Sequence, residues 1–173
     1  MRNIFFILLI AISSLTIVNS QNLKSPSEFL GYNIGEQFSR HHQVIDYFEH
    51  VAHEMPKNVI LEKYGETNER RSLNLAYISS EENLRNLETI RQNNLKQTGI
   101  LKDASESSDI AIVWLSYNVH GNEASSSEAS MLTVFKLLTE YKNLLDNTVV
   151  IIDPCINPDG RDRYVNWYNE TAS

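Results

Sequence analysis

The sequence predicts an α/β domain, and three features of its second half carry that reading. Ile110 to Leu115 is a continuous apolar run, the pattern of a strand buried on both faces. Ala124 to about Tyr141 repeats apolar residues at helical spacing, and Thr148 to Ile152 is a second continuous apolar run. Strand, helix and strand at this spacing form a βαβ unit, which makes the two strands parallel neighbours or near neighbours.

The preceding elements follow in chain order. Met1-Arg2-Asn3 carries a positive charge, Ile4 to Ile12 is almost purely apolar, and Val18-Asn19-Ser20 precedes Gln21. That layout predicts a secretory signal peptide over residues 1–20. The apolar run is short and broken by Ser13, Ser14 and Thr16, which favours cleavage over a retained anchor. The product is therefore expected to be secreted or periplasmic, with no membrane attachment after cleavage. Residues 21–39 read as an irregular lead-in, with Pro26, Gly31 and Gly35 as breakers. The domain proper spans 40–173. It opens with an amphipathic helix at about 40–54, where Val44, Ile45, Phe48, Val51, Ala52 and Met55 share a face, and Pro56 closes it. Val59 to Tyr64 and Leu73 to Ile78 alternate apolar and polar residues, predicting an antiparallel hairpin turned by Gly65 to Arg71. Residues 80–97 predict one helix, with Ser80 as N-cap and Leu84, Leu87 and Ile90 on one face. Thr98 to Asp109 is a polar loop.

Composition narrows the function classes. The chain is 42% hydrophobic and 21% charged, as globular domains are. Its net charge is −7 and its Lys and Arg do not cluster, which excludes the basic face of a nucleic-acid binder. The single cysteine, Cys155, has no intrachain disulfide partner, and its apolar neighbours predict a buried thiol.

In α/β sheets, ligands bind beyond the carboxyl ends of the strands. That rule selects Tyr117 to Ser127 and Asp153 to Arg163. The first stretch holds His120-Gly121-Asn122-Glu123. Zinc accepts imidazole nitrogen and carboxylate oxygen. Two such donors converge when the backbone turns between them, and a strand-to-helix junction containing Gly121 supplies a turn. The same residues also suit a solvated loop pair, or a Glu favoured by the helix dipole. Their place beyond a buried strand favours the metal. His50 and His53 fall opposite the apolar stripe of their helix and read as solvated, while His41 and His42 show no partner. Glu128 reads as a packed or dipole-favoured polar residue, Asp159 as a turn residue, and Asp153 as a candidate partner of a ligating His. Asn169-Glu170-Thr171 is a glycosylation acceptor pattern.

Three motifs together resemble a known family. Tyr117-Asn118-Val119-His120-Gly121-Asn122-Glu123-Ala124, followed by Ser125-Ser126-Ser127-Glu128-Ala129, resembles the first zinc-ligand segment of the M14 zinc carboxypeptidases. Asn157-Pro158-Asp159-Gly160 resembles that family's turn after the next core strand. Tyr64 to Leu73 resembles its Gly-x-Ser-x-Glu-Gly-Arg-x-Leu hairpin, with Thr67 in place of Ser and Arg70 in place of Gly. The motifs come in the family's order and cover about residues 40–170.

The resemblance implies a mixed central sheet flanked by helices, incomplete here. It implies a metallocarboxypeptidase that removes C-terminal residues from peptide or protein substrates. It also implies Zn2+ as cofactor, with His120 and Glu123 as the first two ligands. The family's third ligand, a His, and its catalytic Glu come later than the Asn-Pro-Asp-Gly turn. No His follows His120 in this sequence. The chain thus reads as the front part of such a catalytic domain, inactive by itself. Arg161 and Arg163, just after the turn, are the candidates for binding the substrate's carboxylate. The competing expectation is a secreted, non-catalytic peptide-binding module, or a truncated inactive fragment of the same fold.

Overall fold

The computed structural model describes residues 23–102 and 109–172. The expected signal peptide lies outside them. Part of the lead-in is helical: α1 spans Pro26–Leu30, started by a reciprocal cap between Ser25 and Glu28 and ended at Gly31 in the left-handed region. Helix α2 (His41–Glu54) buries Val44, Tyr47, Phe48 and Val51 completely, as its apolar spacing requires. His53 is exposed as expected. His50 is not merely solvated, because it stacks on Phe29 and its Nε2 accepts the Lys24 N–H at 3.1 Å.

Strands β1 (Val59–Glu66) and β2 (Ser72–Ile78) form the expected antiparallel hairpin, with a register irregularity between Lys63 and Gly65. In its turn Arg70 adopts φ 62°. The residue that replaces the resembled family's Gly therefore keeps a backbone conformation that glycine adopts easily.

The stretch expected as one helix is two, α3 (Glu81–Arg85) and α4 (Leu87–Gln97). Ser80 caps α3 as expected, accepting from the Asn83 N–H at 3.2 Å. The break falls at Asn86, three residues after the buried Asn83. The Asn83 side chain turns inward to donate to the carbonyls of Leu145 and Asp146, both at 3.0 Å, which fixes α3 against the segment before the last strand.

Strand β3 (Ala111–Ser116), helix α5 (Ser125–Thr139), a 3-10 turn (Lys142–Asp146) and strand β4 (Thr148–Asp153) form the expected βαβ unit, and helix α6 (Pro158–Thr171) follows. The sheet order is β1-β2-β4-β3, antiparallel except for the parallel β3–β4 pair. The result is the expected mixed sheet with helices. Phe48, Val51, Ile78, Met131, Val134, Val150 and Ile152 make one core between the sheet, α2 and α5.

One burial expectation fails. Strand β3 is not buried on both faces, and Trp114 is 58% exposed. The strand lies at the sheet's edge, so an apolar run sufficient for a central strand meets no second neighbour among the described residues.

His41, expected to lack a partner, is 4% exposed and held at both ends. Its backbone N–H donates to Asp162 Oδ1 at 2.8 Å, and its ring Nε2 lies 2.9 Å from the Ser72 carbonyl. Nε2 therefore carries the proton, and the buried Nδ1 has no hydrogen-bond partner among the described residues. Burial lowers the His41 pKa from its ordinary value of 6.5. The Ser72 bond and Asp162 oppose that shift, while Arg161 and Arg71 add to it. A lowered folded-state pKa means that the unfolded chain binds the proton first, so stability is lost as pH falls below about 6.5 towards the folded pKa. Thermal unfolding followed over that window is expected to show a drop in Tm that His41→Gln flattens. A variant with the same pH profile as wild type would assign the acid sensitivity elsewhere.

Candidate metal centre

Beyond β3 and β4 the chain keeps the two strand ends together. The Tyr117 N–H donates to the Asp153 carbonyl and the Ile156 N–H to the Tyr117 carbonyl, each at 3.0 Å. The two stretches selected by the strand-end rule are therefore adjacent. The backbone then reverses at Asn118, which adopts φ 57°. A turn closes where the Glu123 N–H donates to the His120 carbonyl at 3.0 Å, and α5 starts two residues later.

This turn brings the expected pair together. His120 Nδ1 and Glu123 Oε1 lie 3.3 Å apart, with their side chains 72% and 61% exposed. An imidazole nitrogen and a carboxylate oxygen, adjacent and open to solvent, fit part of a zinc ligand set. No group of three or more His, Cys, Asp or Glu that could hold a metal occurs among the described residues. The two donors present here would supply part of such a set.

Asn157-Pro158-Asp159-Gly160 clasps the same loop. The motif is the first turn of α6 rather than an isolated turn: Asn157 Oδ1 accepts the Gly160 N–H, and Asn157 Nδ2 donates to the Val119 carbonyl, both at 3.0 Å. Gly121 is needed here for room, not for unusual backbone angles. A Cβ on it would stand 2.3 Å from both the carbonyl carbon and oxygen of Gly160. The hairpin docks on the other side of this helix start. Thr67 Oγ1 donates to Asp159 Oδ1 at 2.7 Å, and Arg71 reaches both Asp159 and Asp162 at 2.8 Å. The three motifs that the sequence separates by dozens of residues thus meet at one place.

The two arginines differ in their surroundings. Arg161 is fully buried, and its guanidinium is spent on the carbonyls of Ser39 and Ala124, Asn118 Oδ1 and Glu128 Oε1. The expectation that it binds substrate is corrected: its donors face the protein. Arg163 is exposed and pairs with Glu69 of the hairpin turn. Neither forms a hydrogen bond with His120 or Glu123. Glu128 is the packed polar residue expected, 5% exposed. Asp153 is 2% exposed and serves Tyr64 and Cys155, accepting the Tyr64 hydroxyl at 2.7 Å and the Cys155 N–H at 3.2 Å, instead of a ligating His. Its burial raises its pKa against those two bonds. Cys155 is buried as expected, and burial pushes its thiol up to about 11, away from nucleophilic chemistry.

Over residues 44–172 the sequence matches the family described as zinc carboxypeptidase. The chain belongs to the zinc carboxypeptidase family. No curated protein matches the sequence significantly. Among solved structures it resembles carboxypeptidase A from Helicoverpa armigera (TM-score 0.56, 19% identity, covering 81% of this chain and 34% of that one). It also resembles bovine thrombin-activatable fibrinolysis inhibitor in complex with tick carboxypeptidase inhibitor (TM-score 0.53, 18% identity, covering 79% and 35%). At these identities the likeness shows the fold. The chain spans about a third of the length of those structures.

Gly121→Ala is expected to force the His120–Glu123 loop away from the start of α6. Overpacking of this kind typically costs about 1–3 kcal/mol, and backbone-to-backbone contact places it at the upper end. Denaturant unfolding checks it; an Ala variant as stable as wild type would contradict the close approach.

Proposed function

We propose that this chain is the front part of a secreted zinc carboxypeptidase whose metal is held in part by His120 and Glu123. The whole protein would remove C-terminal residues from peptides. The observation that carries this reading is the 3.3 Å approach of the two donor atoms in a solvent-open loop at the carboxyl end of a strand. Family membership supports zinc as the ion. When bound, zinc supplies a water of lowered pKa and polarises the scissile carbonyl. His120 would contribute an imidazole nitrogen and Glu123 a carboxylate oxygen. In the resembled family the third ligand and the catalytic Glu follow the matched motifs, so His120 and Glu123 would be only part of the ligand set. The secretory destination rests on the pattern of residues 1–20; no helix among the described residues is long and apolar enough to cross a membrane.

The competing reading is a secreted peptide-binding relative of the same fold without catalysis. Calorimetric titration with Zn2+ tests the metal reading. The wild-type chain is expected to bind, and His120→Ala to bind at least about tenfold more weakly. Equal affinity in both would remove His120 as a ligand. In the full-length protein, His120→Ala is expected to lower release of a C-terminal residue from a blocked dipeptide. Tight zinc binding without any such release would favour the binding module.

A further inference from the structure

Asn118 sits just before the candidate ligands and is 2% exposed. Its φ of 57° is one that Asn tolerates better than most residues. Its side-chain amide faces two ways. Nδ2 donates to the His120 carbonyl at 2.7 Å and to the Glu123 carbonyl at 3.3 Å. Oδ1 accepts from Arg161 Nη1 at 3.2 Å, Ser127 Oγ at 3.3 Å and Cys155 Sγ at 3.4 Å. Flipping the amide would set its oxygen against two carbonyls and its NH2 against a guanidinium, so the surroundings fix its orientation. The carbonyls it holds belong to the two candidate ligands. The group that anchors it, Arg161, has no exposed surface.

We propose that Asn118 is the positioning residue of the metal pair. Anchored on Arg161, its NH2 group grips the backbone of His120 and Glu123 together and so presets the spacing of their donor atoms. Asn118 itself touches no metal. The proposal rests on the zinc reading above and assigns a cause to the geometry that reading uses. Partners that orient metal ligands typically raise metal affinity by about 10–100-fold. A purely structural cap would alter stability and leave affinity unchanged.

The test is the Zn2+ affinity of the chain by calorimetry, with unfolding measured in parallel. Asn118→Asp preserves size, left-handed tolerance and the acceptor for Arg161, but sets a carboxylate oxygen against the two carbonyls. Asn118→Gly preserves the backbone freedom and removes both sets of bonds. Each is expected to weaken Zn2+ binding by about tenfold or more. Val165→Ala, a fully buried change in α6, is the control: it lowers stability and keeps the wild-type affinity. Folded Asn118 variants with wild-type affinity would overturn the proposal while the metal reading stands. A His120→Ala chain that binds as tightly as wild type would defeat the metal reading itself. A wild-type measurement covers variants that do not fold. The Asn118 side-chain NH2 protons are expected to exchange slowly in NMR and to shift on Zn2+ addition. Exchange at the rate of a free amide would overturn the proposal.

Discussion

A buried guanidinium holds this part of the molecule together. Arg161 has no exposed surface, yet it reaches four different stretches of chain: the lead-in at Ser39, the turn at Asn118, the loop end at Ala124 and helix α5 at Glu128. Burying a charge is costly unless it is paired and every donor finds an acceptor. Here Glu128 provides the opposite charge, and carbonyl and amide oxygens take the remaining donors. Glu128 Oε1 also accepts the Ser39 N–H at 2.6 Å, so the pair closes on the segment that encloses it. The planar fork of Arg can span these acceptors at once; a lysine could not. Elements remote in sequence are thereby fixed around the loop that carries His120 and Glu123.

A second, wetter set of charges braces the opposite side of α6. Arg71 contacts Glu69, Asp159 and Asp162 with its side chain 25% exposed, so solvent screens these pairs more than the Arg161 pair. Their value is geometric: they orient the hairpin against the helix start. The inner guanidinium and this outer one hold the first turn of α6 from two directions, and the loop packs against that turn through Gly121.

Local signals made most of the fold legible in the sequence. Helix α2, the hairpin, the Ser80 cap and the β3–α5–β4 unit each follow from spacing or from a single capping residue. So does the neighbourhood of His120 and Glu123, because a strand end followed by a helix start leaves little choice. Long-range polar contacts were not legible. Asn83 reaches the Leu145 carbonyl just before the break at Asn86, and the role of Arg161 depends on Ser39 and Glu128 closing over it. An arginine after a turn motif looks like a surface cation until its acceptors are seen. Asn118 was visible as part of a motif, but only its left-handed backbone and the direction of its amide reveal what it does.

Strand β3 has its own consequence. Ala111–Ser116 contains no charge and no proline, and it pairs only with β4 among the described residues. Sheet borders are normally guarded by charges, bulges or short lengths. An unguarded border of this kind is a template for intermolecular strand addition, with Trp114 as an adhesive side chain.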